Sequence, residues 1–103
     1  MMFITREEDI KLSKIQVFYF YSSWMPFQQK NMLMLESSEQ IYKDIAFFGI
    51  DVGEFKNQCK RFGIETVPTT IILKEGAEIG RINGLVNTKI FAGTFADIYL
   101  LNT

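Results

Sequence analysis

The run Val17-Phe18-Tyr19-Phe20-Tyr21 restricts the fold of this chain more than any other stretch. Five consecutive β-branched or aromatic residues make a poor amphipathic helix and a good strand buried on both faces. Ser22 and Ser23 end the run, and Pro26 stands where a first helical turn can begin, a position at which proline is tolerated. A buried strand feeding a helix N-terminus is a common place for chemistry, since free backbone N–H groups and the helix dipole favour an anion there. The stretch from Ser22 to Gln29 offers no nucleophile stronger than a serine, no carboxylate, no imidazole and no thiol.

The remainder of the chain supplies elements to cover that strand. Met2-Phe3-Ile4 suits an edge strand, and Thr5-Arg6-Glu7-Glu8 matches a capping box that opens a short helix over 6–13, with Ile10 and Leu12 as core contacts. The buried strand is expected over 15–21. A helix follows over 26–42, with Phe27, Leu33 or Met34, Ile41 and Tyr42 as apolar positions and Glu36, Ser37, Ser38 and Glu39 toward water. Its Met32-Leu33-Met34-Leu35 block is apolar all round, which fits heavy packing against a sheet; a methionine cluster also suits an adaptable binding groove.

A second buried strand is expected over 45–51, then a helix over 53–62 with Phe55, Cys59 and Phe62 facing inward and a stop at Gly63. Pro68 lies at the start of an apolar strand that runs to Lys74. A turn at Lys74-Glu75-Gly76-Ala77 leads to a strand over 78–83, and the two strands make a hairpin. Asn83-Gly84 breaks the chain before a last helix, capped by Asn87 or Thr88 and running to about Leu101. Ile90, Phe91, Phe95, Ile98 and Tyr99 form its core face. Helices alternating with buried strands predict an α/β domain, with a mixed sheet covered on both faces and an antiparallel hairpin at the end.

Length and composition bound the function. With 103 residues the chain is expected to be one domain over 1–103, and 48% hydrophobic residues argue against disorder. A net charge of -1 without a basic stripe speaks against nucleic-acid binding. Cys59 is the single cysteine and histidine is absent, so an intrachain disulfide, the usual zinc sites and Ser-His or Cys-His nucleophile pairs are excluded. No metal or cofactor is expected. Charged residues from Arg6 follow Met1-Met2-Phe3-Ile4 at once, unlike a signal peptide, and no apolar run approaches the roughly 20 residues of a membrane span. The expected location is cytoplasmic, without membrane contact.

The element order, the Trp24 at the strand-helix junction and the Val67-Pro68-Thr69 before a hairpin resemble the thioredoxin family over nearly the whole chain. The more specific landmark is Phe62-Gly63-Ile64-Glu65-Thr66-Val67-Pro68-Thr69, which is similar to the family's Tyr-Gly-Ile/Val-x-x-Ile/Val-Pro-Thr; the turn Lys74-Glu75-Gly76 and Gly84 add to it. The resemblance implies a thioredoxin fold, a central mixed β-sheet of about five strands flanked by about four helices, and a cis Val67–Pro68 bond. It also shows what this chain lacks. Where the family reads Trp-Cys-Gly-Pro-Cys-Lys, the two cysteines fall on Met25 and Gln28, Gly-Pro on Pro26-Phe27 and the basic residue on Gln29. The family's buried Asp falls on Tyr19 and its buried Lys on Phe47.

Dithiol exchange needs a thiolate to attack and a second thiol to resolve the mixed disulfide. A methionine thioether cannot ionise and a glutamine amide cannot attack a disulfide, so dithiol oxidoreductase activity is expected to be absent. Trp24, Met25, Pro26 and Phe27 are too many bulky groups for one loop to bury, and an exposed apolar patch marks an interaction site. By resemblance this loop lies beside Thr66, Val67 and Pro68 and the Gly84-Leu85 turn, where family members pair an extended partner segment. The expected function is therefore a redox-inactive module that binds a protein or peptide through Trp24, Met25, Phe27, Thr66, Val67, Pro68, Gly84 and Leu85. Two alternatives stand beside it: a thiol redox protein working through Cys59, and a structural subunit of an assembly or homodimer. Helical spacing with Phe55 and Phe62 makes Cys59 a small buried hydrophobe, and Ser22 and Ser23 are read as satisfying backbone groups.

Overall fold

In the computed structural model, which describes residues 1–5, 14–25, 29–85 and 87–102, the aromatic run forms the middle strand of a five-stranded sheet. The described elements are β1 (Met2–Phe3), β2 (Ile15–Tyr21), α1 (Gln29–Ile41), β3 (Ile45–Asp51), α2 (Lys56–Phe62), β4 (Thr69–Lys74), β5 (Ala77–Asn83) and α3 (Thr88–Leu101). The sheet order is β1-β3-β2-β4-β5. β1, β3 and β2 run parallel, β4 is antiparallel to β2, and β5 is antiparallel to β4. Three helices are described, against the four expected; the helix expected over 6–13 lies outside the described residues, as do positions 26–28.

Alternation along β2 explains why the run must be apolar throughout. Ile15, Val17 and Tyr19 face α1 and α3, packing with Met34, Leu35, Phe91 and Phe95. Phe18 and Phe20 point the other way, into a second core with Phe48, Ile50, Ile71 and Phe62 of α2. Aromatic edges knit each layer: Phe18 meets Phe48 and Phe62 in edge-to-face contacts at 5.9 and 5.8 Å, and Phe95 stacks between Phe47 and Phe91 at 6.0 and 6.1 Å. Such pairs add about 0.5–1.5 kcal/mol each beyond their buried area.

The hairpin closes through Glu75 and Gly76, both at positive φ, which matches the two-residue turn that follows strand twist. β5 begins one residue earlier than expected, at Ala77. Gly63 ends α2 in the left-handed conformation, its N–H donating to the Lys60 carbonyl while Ile64 N–H reaches Cys59. Asn87, rather than Thr88, caps α3, with its side-chain oxygen accepting from Ile90 N–H at 2.9 Å.

Four expectations need correction. α2 starts at Lys56 and not at Gly53, because the Asp51 carboxylate and carbonyl accept from Gly53, Glu54 and Phe55 N–H and hold those residues in a turn. In α1 it is Met34 that enters the core, while Leu33 and Ile41 are 63% and 72% exposed. Ser38 is buried, its hydroxyl donating back to the Met34 carbonyl at 3.0 Å. Ile90 is exposed because Phe91 and Phe95, four residues apart, take the face turned to the sheet. No described helix is long and apolar enough to cross a membrane.

Candidate functional site

Three chain segments leave the same end of the sheet. At the last paired positions, Phe20 of β2 stands beside Thr69 of β4, and Thr69 stands beside Asn83 of β5. The loop that starts at Ser22, the segment 64–68 and the turn after Asn83 are thereby placed together. Val52 N–H donating to the Tyr21 carbonyl at 2.9 Å brings the turn after β3 to the same end.

The loop after β2 is held by Ser22. Its carbonyl accepts from Met25 N–H at 3.0 Å and its hydroxyl from Trp24 N–H at 3.2 Å, a local turn that serine side chains commonly stabilise. The turn throws the Trp24 side chain outward, where it is 92% exposed, and leaves Met25 half-buried. The expected site residues Pro26, Phe27 and Gln28 lie outside the described residues.

The segment before β4 is braced from both sides. The Val67–Pro68 bond is cis, the Pro68 carbonyl accepts from Gly84 N–H at 2.7 Å, and the Thr69 hydroxyl donates to the Thr66 carbonyl at 2.7 Å. Gly84 is at φ 77, a left-handed value that glycine adopts without strain. Pro68 itself is buried, so it shapes the segment rather than offering a surface. Thr66 and Leu85 are exposed and Val67 is half-buried. Among the described residues neither the N–H nor the carbonyl of Val67 has a hydrogen-bond partner. Open backbone groups in the bend that leads into β4, at a sheet end, are where a partner strand can add.

Cys59 lies on α2, in the second core layer rather than in the Trp24 loop. Its Sγ faces the Val52 carbonyl at 4.0 Å. Burial first, and the nearby Asp51 charge second, push its thiol pKa upward, the opposite of what an attacking thiol needs.

The thioredoxin sequence pattern matches residues 5–95. The chain belongs to the thioredoxin family. Among curated relatives it is 30% identical to thioredoxin-2 of Saccharomyces cerevisiae over 71 residues, covering 69% of this chain and 68% of that one. It is also 30% identical to thioredoxin H5 of Arabidopsis thaliana over 77 residues. The matched stretches span 65% of that relative and 37% of the H-type thioredoxin of Fagopyrum esculentum. Among solved structures, mitochondrial thioredoxin 3 of S. cerevisiae in its oxidised form superimposes with a TM-score of 0.77 at 26% identity, covering 93% of this chain and 94% of that one. Oxidised thioredoxin from Plasmodium falciparum gives 0.82 at 17% identity and shares the fold.

Within this family member the positions matched to the buried acid and base are apolar or aromatic. Tyr19 and Phe47 sit in the same core layer, under α1 and α3. The Tyr19 hydroxyl has no partner among the described residues, and burial pushes its pKa up to about 12. Tyr21, expected only as the end of a buried strand, borders the Trp24 loop as well. It is half-exposed at the strand end, stacked on Tyr19 at 6.1 Å and edge-on to Phe3 at 5.7 Å. Its position last in the run, next to Ser22, was the available signal.

Proposed function

We propose that this thioredoxin-family chain is a redox-inactive module that binds an extended protein or peptide segment at the sheet end bearing Trp24 and Val67. The observation that carries the reading is the pairing of an almost fully exposed tryptophan with a Val67 backbone that meets no partner among the described residues. The tryptophan supplies apolar area and the Val67 backbone supplies direction. Met25, Thr66 and Leu85 line the same end, and the Gly84–Pro68 hydrogen bond fixes the spacing of its walls. A single cysteine, placed on α2 and with its pKa raised, leaves no pair of thiols to run a dithiol cycle.

The test has two arms. In a dithiothreitol-coupled disulfide-reduction assay the chain should turn over no faster than the Cys59→Ala variant; clear turnover lost in that variant would restore the single-thiol reading. Selection from a random peptide display library should enrich extended apolar sequences whose binding drops at least tenfold in Trp24→Glu. Enrichment indifferent to Trp24→Glu would remove the binding surface from this end of the sheet.

A further inference from the structure

The outward face of α2 carries three cations that nothing in the fold offsets, and we propose that an extended acidic segment of a partner protein docks along it. Phe55, Cys59 and Phe62 turn into the second core layer, which leaves Lys56, Lys60 and Arg61 exposed on the other side. None of the three has an ion pair among the described residues. Glu54 and Glu65, which flank the helix in sequence, pair with none of them.

Helix-dipole complementarity accounts for Lys60 and Arg61, which lie in the last turn. It does not account for Lys56, which opens α2 at its positive end, in a first turn without an acid and beside an N-cap residue that makes no side-chain cap. Lys56 and Lys60 are also four residues apart, a like-charge pair that disfavours the helix. Carboxylates laid against this face offset both effects. Arg61 is held ready for one of them. Its guanidinium lies over the Phe62 ring at 4.9 Å and makes no hydrogen bond among the described residues, so the planar fork is positioned with its donor edge free.

Spacing selects the form of the partner. Lys56 and Lys60 stand about 6 Å apart along the helix axis, and alternate residues of an extended chain repeat on one side at about 6.6 Å. A segment with acids at every second position therefore sets one carboxylate against each lysine. No large apolar side chain of α2 is exposed, so a lipid surface finds nothing to take up. The chain's net charge of -1 opposes a polyphosphate approaching so short a cluster.

Fluorescence anisotropy of a labelled octapeptide in which glutamate alternates with alanine, titrated with the whole chain, tests the proposal. The peptide should bind at about 20 mM salt and at least tenfold more weakly at about 300 mM. Lys56→Glu and Lys60→Glu should each weaken binding about tenfold, and Arg61→Lys, which keeps the charge and loses the fork, about threefold. A peptide of the same composition with its glutamates in one block should bind less tightly. Trp24→Ala should change nothing, since this surface is separate from the one at the sheet end. Circular dichroism confirms that each variant is folded. No binding at low salt overturns the proposal, as does binding indifferent to both lysine variants, equal binding of the block peptide, or binding lost in Trp24→Ala. Tighter binding of a phosphatidylserine vesicle or of single-stranded DNA, lost in the same lysine variants, also overturns it and gives the face to that ligand.

Discussion

The hydroxyl of Tyr19 is a polar group placed in an apolar layer without a partner among the described residues. Leaving such a group unsatisfied costs about 1–3 kcal/mol, so Tyr19→Phe should raise the unfolding free energy by about 1 kcal/mol in urea denaturation at pH 7. The same residue predicts a pH dependence. Its folded-state pKa of about 12 lies above the ordinary 10.0, so the stability linked to the neutral phenol is complete below pH 10 and is lost as pH rises toward 12. The gap between wild type and Tyr19→Phe should widen over that window by on the order of 2 kcal/mol, and equal alkaline profiles for the two proteins would contradict it. Cys59 should behave as a packed thiol: alkylation at pH 8 should be many times slower in the folded chain than in the same chain in denaturant, with pseudo-first-order rates as the readout.

Among the elements, β5 and α3 pack closely at Gly80. A Cβ built on Gly80 would lie 2.5 Å from Cδ1 of Ile98 and 2.9 Å from its Cγ1. Gly80→Ala should therefore destabilise by about 1–3 kcal/mol, and Ile98→Val, which removes the nearest atom, should return part of that loss in a double-mutant cycle. Additive losses would mean that α3 moves aside instead. Asn87→Ala should cost about 1 kcal/mol through the lost cap on Ile90 N–H, measured by thermal unfolding. Strand positions were legible because β2, β3 and β4 each hold a run of apolar residues bounded by serine, aspartate or proline, and chain stops were legible at Gly63 and Gly76. Helix phase was not. Met32 to Leu35 is apolar on every side, so nothing in the sequence distinguished Met34 from Leu33, and the exposure of Ile41 depends on where α3 packs. The start of α2 was hidden because the Asp51 side chain and carbonyl, not propensity, hold 53–55 out of the helix. Of the site, the Trp24 loop and the Val67-Pro68 segment could be picked out by motif. The burial of Pro68 could not, since it depends on chain segments distant in sequence, among them the Gly84 turn that donates to its carbonyl.

For the whole molecule, the proposed apolar binding surface lies in loops: Trp24 and Val67 stand at one end of the sheet, outside both core layers. Trp24→Glu should therefore dissociate peptide without disturbing the fold. It should also leave stability within about 0.5 kcal/mol of wild type, as expected for an exposed position. Thermal unfolding and peptide titration of the same sample check both halves. The thioredoxin fold is built here on a chain with a single cysteine, so the recognition proposed at the sheet end would rest on shape and backbone.

The exposure of Trp24 also makes the chain its own optical probe. It is the only tryptophan, and it already stands in water when the chain is folded. Its emission should therefore be red-shifted in the native state and change little on unfolding, whereas an apolar segment laid over the loop should shift it to the blue. Under the proposed binding, indole fluorescence should report occupancy, and tyrosine or circular dichroism signals should report folding.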